Sequence, residues 1–226
     1  MASIPELEEI RRNQILEAAL STIAETGAAH VTMDDIAQAA GLSKGGLIHY
    51  YRSKNELFQA TFKELFERIF ELSRESMAQH SDPMEKILAF DFLYDLENPY
   101  TRQGYPLLFD SMALAAREPD YQAMFDAWVD RWIELLTGAI RQGIADGSFV
   151  EMDPDPLART ISAIYHGIAI RWYLAPRSHS SEWAVNSFRT AIGGAMAPYR
   201  KKTGQDAEKG QGTGNTLMEM NRNPAA

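Results

Sequence analysis

Between Thr32 and Glu56 the chain runs TMDDIAQAAGLSKGGLIHYYRSKNE, and its punctuation admits little besides two short helices, a tight turn and the start of a third helix. Thr32 and Asp35 have capping-box spacing, in which a hydroxyl accepts from the backbone N–H three residues on and an acid sits beside the positive helix end. A helix therefore starts at Met33, with Met33, Ile36, Ala37 and Ala40 on an apolar face and Asp34 and Gln38 off it. Gly41 follows the last periodic residue, where a left-handed conformation ends a helix without a Cβ penalty. Leu42 plugs the turn, Ser43 is a ready N-cap, and a second helix runs from Lys44 to about Tyr50. Ser53 and Glu56 repeat the capping pattern, so a third helix begins near Lys54. Helix, three-residue turn and helix is the geometry of a helix-turn-helix, spanning 32–51 here.

The second helix is costly as a purely structural element, because Gly45 and Gly46 each lose roughly 1 kcal/mol relative to alanine in a helix interior. One compensation is close approach of its bare first turn to phosphates and base edges in a major groove. The other is tight packing on neighbouring helices.

From Thr32 to Leu57 the residues resemble the N-terminal domain of the TetR-type (tetracycline repressor) transcriptional regulators, whose pattern is roughly T-x-x-x-I-A-x-x-A-G-[VL]-S-K-G-x-L-Y-x-H-F-x-[ST]-K-x-x-L. Thr32, Ile36, Ala37, Ala40, Gly41, Leu42, Ser43, Lys44, Gly45, Leu47, Ser53, Lys54 and Leu57 stand at the matching positions. The match departs at Ile48, where the family often has tyrosine, and at Tyr50 and Tyr51, where it often has His-Phe. The resemblance implies that Thr32, Tyr50 and Lys54 hold phosphates while Ser43, Lys44, Gly45, Gly46 and His49 approach bases. It also implies a small-molecule pocket in a larger helical domain, and repression as the sign of regulation.

A formal net charge of −9 over 226 residues argues against nonspecific coating of nucleic acid, which needs a basic surface overall. Even the first sixty residues hold fewer Lys and Arg than Asp and Glu. Placement softens the objection: Lys44, Arg52 and Lys54 cluster around the proposed reading helix, Arg11 and Arg12 lie at an earlier helix start, and Asp34, Asp35, Glu17 and Glu25 are expected to face away. No run approaches the ~20 apolar residues that span a bilayer, and MASIPELEE lacks the apolar core of a signal peptide, so a cytoplasmic protein is expected. Without cysteine there are no disulfides, thiolate nucleophiles or cysteine-bound metals. The histidines show neither H-x-x-x-H nor H-E-x-x-H spacing, and no P-loop, G-x-S-x-G or dinucleotide fingerprint occurs; neither enzyme, metal nor cofactor is expected.

Outside the motif the periodicity is helical throughout. Leu7–Glu25 carries an apolar stripe of Ile15, Leu16, Ala19, Leu20 and Ile23, and Leu57 to Leu72 continues the Lys54 helix far enough to leave one domain and enter another. Further helices are expected from Pro83 to about Leu96, from Leu107 to Arg117 after a loop bracketed by Glu97-Asn98-Pro99 and Gly104-Tyr105-Pro106, from Pro119 to Ala145, from Leu157 to about Leu174 after a turn at Asp153-Pro154-Asp155-Pro156, and from Ser181 to Tyr199. The polar, Gly-rich stretch from Lys201 cannot bury much apolar surface and is expected to be a disordered tail (201–226).

The expected architecture is all-α: a three-helix helix-turn-helix DNA-binding domain over 9–69 and a larger helical ligand-binding and dimerisation domain over 70–200. The expected function is a homodimeric repressor that leaves a palindromic operator in double-stranded DNA when it binds a small amphipathic effector, cationic or aromatic. The alternative is a helical small-molecule-binding protein or enzyme on the same fold without DNA readout. Bulky groups recurring on consecutive helices make Phe109, Met112, Trp128, Trp132, Tyr165 and Trp172 the candidate effector contacts, with Asp91, Asp95, Asp110, Asp126 and Asp130 as nearby carboxylates for a cation. Ala163, Gly167, Ala169, Ala191, Gly193 and Ala195 make the last two helices the expected dimer interface, since small residues let helices approach closely.

Overall fold

The computed structural model describes residues 4–201; within them α-helix is the only extended regular element. In chain order these are α1 (Ile4–Thr26), α2 (Met33–Ala39), α3 (Lys44–Tyr50), α4 (Lys54–Ala78), α5 (Pro83–Ile87), α6 (Pro99–Ala115), α7 (Pro119–Ala145), α8 (Pro154–Leu174) and α9 (Ser181–Met196). Apart from Lys201, the tail expected over 201–226 lies outside the described residues.

The helix starts obey local rules. Thr32 and Asp35 form the expected capping box, and Ser43 and Ser53 accept from the backbone N–H groups of Gly46 and Glu56. Glu56 reaches back to the Arg52 N–H at 2.8 Å. Proline opens α5, α6, α7 and α8, at the position where a missing N–H costs nothing. Gly41, at φ +65°, makes the left-handed turn between α2 and α3.

Two expected elements differ. The helix expected from Pro83 to Leu96 stops at Ile87 and gives way to a 3-10 turn over Asp91–Tyr94. Leu88, Ala89 and Phe90 are all buried, so no polar face is available for a continuing amphipathic helix. Freed carbonyls are taken by side chains: Tyr165 Oη donates to Ile87 O at 2.6 Å and Ser76 Oγ donates to Ala89 O. The second difference is α6, which begins at Pro99 under an Asn98 cap and carries Pro106 inside it. An internal proline costs about 3 kcal/mol. Against this, α6 packs on Leu65 and Ile69 at Gly104, and Tyr105 is buried with its hydroxyl donating to Leu93 O at 2.9 Å. Packing outweighs the breaker signal.

α1, α2 and α3 close a compact head around Ile15, Ile23, Val31, Ile36 and Leu47, all fully buried. α4 leaves this head through Leu57 and Phe58 and enters the body through Phe62, Leu65 and Phe66. There α7, α8 and α9 pack in succession, with α6 bridging α1 and α7. At the far end of the body, Val150 N–H donates to Tyr199 O and Lys201 N–H to Ser148 O, clasping the end of α9 to the α7–α8 turn. Beneath the clasp the buried Phe149 ring lies on Gly143, where an added Cβ would come within 2.2 Å of it.

That contact yields a paired expectation. Gly143→Ala should destabilise the fold by about 1–3 kcal/mol, because the added Cβ forces the buried Phe149 ring out of its packing. Gly138→Ala, on an open face of the same helix, should stabilise it by up to about 1 kcal/mol. Urea denaturation of the two variants checks both signs; a Gly143→Ala protein as stable as the parent would show that Phe149 can move.

Candidate DNA interface and internal cavity

α3 is fastened to the head by one fully buried side chain, Leu47. Its opposite side, with Ser43, Lys44, Gly45, Ile48 and His49, is exposed, and Gly46 and Tyr50 are half-buried at its flanks. A Cβ built on Gly45 meets nothing within 4 Å, so packing inside the chain does not require glycine there. Among the described residues the space beside Gly45 is open.

Thr32, Tyr50 and Lys54 surround this face with side chains already partly engaged. Both Thr32 donors, its hydroxyl and its N–H, point to Asp35 Oδ2 at 2.7 and 2.8 Å, which holds the Asp35 pKa below its ordinary value. The Lys54 ammonium rests 4.9 Å from the centre of the Phe58 ring. Arg12 of α1 lies over the Tyr50 and Tyr51 rings at 5.6 and 5.8 Å, and the His49 ring meets Tyr50 edge-on. Asp34 does not face away as expected: its Oδ2 accepts from Lys44 Nζ at 2.8 Å. The reason is local, since the tight turn at Gly41 brings the first turns of α2 and α3 together.

The head is tied to the body by polar contacts that periodicity cannot reveal. Asp110 of α6 accepts from the Ala28 N–H at 2.7 Å, in the turn between α1 and α2. Tyr121 of α7 donates to Asn55 Oδ1 at 2.8 Å, in the first turn of α4. Arg131 of α7 holds Glu67 with both guanidinium nitrogens, at 2.6 and 3.0 Å, and lies over the Phe70 ring. Arg68 joins α4 to α1 through Glu17.

In the body a cavity of about 60 Å³, partly open to solvent, lies between α4, α6, α7, α8 and the 3-10 turn. Trp128, Trp132 and Tyr165 line it, as does His166. Phe109, Met112 and Trp172 do not. Thr101, Gly104, Tyr105 and Leu108 form the stripe of α6 that faces the cavity, and Phe109 and Met112 continue along the helix past its end. Trp172 is committed to the core, edge-on to Tyr94 and Tyr105, with its indole donating to Ser181 Oγ at 3.2 Å. None of the expected carboxylates lines the cavity: Asp91 is paired with Arg189, and Asp110 holds Ala28. The α6 stripe was missed because Pro106 marks a break in the sequence; its i, i+3, i+4, i+7 spacing was the available signal.

Comparison with known proteins agrees with this geometry. The family model described as bacterial regulatory proteins, tetR family, matches residues 15–61, and that of the BetI-type transcriptional repressor C-terminal region matches 97–196. The HTH-type transcriptional regulator TtgR of Pseudomonas putida is 31% identical over 177 residues, covering 74% of this chain and 82% of the relative. A transcriptional regulator from Saccharomonospora viridis, crystallised in complex with choline, superposes with a TM-score of 0.71 at 22% identity, covering 84% of this chain and 98% of that one. A TetR regulator from Haloarcula marismortui gives 0.73 at 20% identity over 85% and 100% of the two chains.

The contact between head and body generates its own expectation. Asp110→Ala leaves the Ala28 N–H without its acceptor and should cost about 1–3 kcal/mol in urea denaturation. An unchanged midpoint would mean that water replaces the carboxylate at no cost.

Proposed function

Because this chain belongs to the tetR family of bacterial regulatory proteins, and is thus a DNA-binding transcriptional regulator rather than an enzyme, we propose that it is a cytoplasmic repressor released from a palindromic operator by a small amphipathic molecule. Residues 9–69 read DNA; 70–200 hold the effector and the dimer contacts. The observation that carries the reading is the open space at Gly45, on a helix whose buried side is anchored and whose other side is bare. Ser43, Lys44, Gly45, Gly46 and His49 approach bases, and Thr32, Tyr50 and Lys54 hold phosphates. Ile48, 42% exposed beside His49, is an addition to this set, and its aliphatic side chain suits a thymine methyl group. Thr32 and Lys44 exchange their contacts with Asp35 and Asp34 for phosphate or base edges when DNA arrives. The exposed Lys44–Asp34 ion pair is worth about 0–1 kcal/mol and a Thr32 capping hydrogen bond about 1 kcal/mol, so the exchange is inexpensive.

Two copies pair through α8 and α9. Ala163, Gly167, Ile170 and Leu174 of α8, with Ala191 and Gly194 of α9, lie exposed on an apolar, small-residue face, and a Cβ at Gly167, Gly193 or Gly194 meets nothing within the chain. A two-fold axis there sets two copies of α3 against half-sites about 34–36 Å apart. The effector occupies the cavity and binds the DNA-free arrangement more tightly, since equal affinity would shift nothing. Through Ile69 and Leu72 in its wall it tilts α4 and changes the spacing of the reading helices. A coupling of about 1–3 kcal/mol, roughly 5–150-fold in DNA affinity, is the typical scale. A cationic effector is the second reading, favoured by the aromatic lining and by choline in the S. viridis regulator.

Lys54→Ala should weaken specific and scrambled DNA about equally and lower the salt slope by roughly 1, whereas His49→Ala should alter sequence preference. Fluorescence anisotropy across a salt series reads both, and an unchanged slope for Lys54→Ala removes its phosphate role. Gly194→Arg should convert the dimer to monomer in sedimentation at low micromolar concentration. A variant that still sediments as a dimer places the interface elsewhere.

A further inference from the structure

The cavity wall contains hydrogen-bonding capacity that the protein itself leaves unused. His166 Nδ1 lies 2.8 Å from the Ser162 carbonyl oxygen, one turn earlier on α8. A carbonyl oxygen only accepts, so Nδ1 carries the proton of that contact, and in the neutral ring Nε2 is left with a free lone pair. Desolvation lowers the His166 pKa, which keeps the imidazole neutral where it packs against the Trp128 and Trp132 rings. Those two indoles supply the opposite need. Their N–H groups are buried and have no acceptor among the described residues, a condition native proteins rarely leave unanswered.

The remaining buried hydroxyls of the wall are committed. Thr101 donates to Phe92 O, Tyr105 to Leu93 O and Tyr165 to Ile87 O. Besides the half-exposed Tyr100 hydroxyl at the rim, what stays available within the wall is the His166 acceptor and the two indole donors, and no charged group lines it. A cation entering this wall would lose its hydration without meeting a counter-charge, which opposes the attraction of the rings. A carboxylate ligand would set its charge against the Nε2 lone pair. A hydroxyl is the smallest neutral group that can donate to Nε2 and accept from an indole N–H at once.

We propose that the effector is an uncharged, hydroxyl-bearing hydrophobe, a phenol or an alcohol, whose O–H donates to His166 Nε2 while its oxygen accepts from the indole N–H of Trp128 or Trp132. This inference rests on the cavity being the effector site. It makes His166 the residue that selects for the hydroxyl, with the aromatic walls selecting for the apolar body.

Four probes of similar size separate the possibilities: 4-propylphenol, 4-propylanisole, propylbenzene and phenyltrimethylammonium. Their affinities are measured by calorimetry on the full chain and on His166→Phe and His166→Gln. In parallel, indole Nε1–H resonances are followed in tryptophan-labelled protein, which reports the place of binding without any substitution. The phenol should bind about tenfold more tightly than the anisole or propylbenzene, the worth of a net hydrogen bond. That preference should vanish in His166→Phe and survive in part in His166→Gln, which keeps an acceptor. Any probe that enters the cavity should move the Trp128 and Trp132 indole signals, and the phenol should move one of them farther downfield than propylbenzene does, because only the phenol accepts from the N–H. Equal affinities for the neutral probes, tightest binding of phenyltrimethylammonium, or a preference that persists in His166→Phe would each overturn the hydroxyl assignment. If the Trp128 and Trp132 signals still move in those cases, the cavity stands as the binding site. If no probe binds, or these two signals stay fixed while a probe binds, the cavity reading falls and the inference falls with it.

Discussion

One helix carries a continuous core from the head into the body, and the rest of the molecule is arranged around that fact. α4 buries Leu57 in the head and Phe62, Leu65 and Phe66 in the body, so neither part can be repacked without acting on the same rod. An α-helix transmits such a push because bending it sharply breaks its own hydrogen bonds. Lys54 and Leu72 stand about 27 Å apart along the axis, so a tilt of a few degrees at the cavity wall becomes ~2 Å at the first turn of the helix. The links from α6 and α7 matter for the same reason. Asp110 on Ala28, Tyr121 on Asn55 and Arg131 on Glu67 grip the head and α4 at separate points and decide where the rod pivots.

The acidity of the chain and its DNA-binding role are reconciled at short range. Two of the carboxylates nearest the reading helix have structural tasks, Asp35 completing the cap of α2 and Asp34 holding Lys44 across the turn. Their charge sits beside cations it partly neutralises, and the net charge of −9 belongs to the whole chain, head included. Repulsion of this kind discourages binding to arbitrary DNA more than it hinders a site reached through several aligned contacts.

Much of the fold was legible in the sequence because its helix ends are written in residues with one strong local meaning. Thr32 with Asp35, Ser43, Ser53, Gly41, Pro83 and Pro119 set boundaries that hold nearly to the residue, whereas Pro99 and Pro154, read as loop and turn, open α6 and α8. Two places resisted. At Leu88–Phe90 the apolar run looks like helix, but burial on every side and carbonyl capture by Tyr165 and Ser76 decide otherwise. At Pro106 the breaker signal is real and is overruled by Gly104 and Tyr105, whose contacts come from helices far away in sequence. The cavity was half legible for the same reason. Trp128 and Trp132 sit four residues apart on one face, but which end of the α6 stripe meets them depends on where α6 begins, and only the assembled body determines that.

The clasp between the α7–α8 turn and the end of α9 gives the chain a defined exit. α7 runs for 27 residues, about 40 Å, from Tyr121 beside the head to that turn, and Lys201 leaves the body there on its bond to Ser148. Lys201 therefore lies at the pole opposite α3. A fluorophore carried on Ser148 or Lys201 would stand about four nanometres from the duplex, so this pole is the attachment point that leaves the reading face unobstructed.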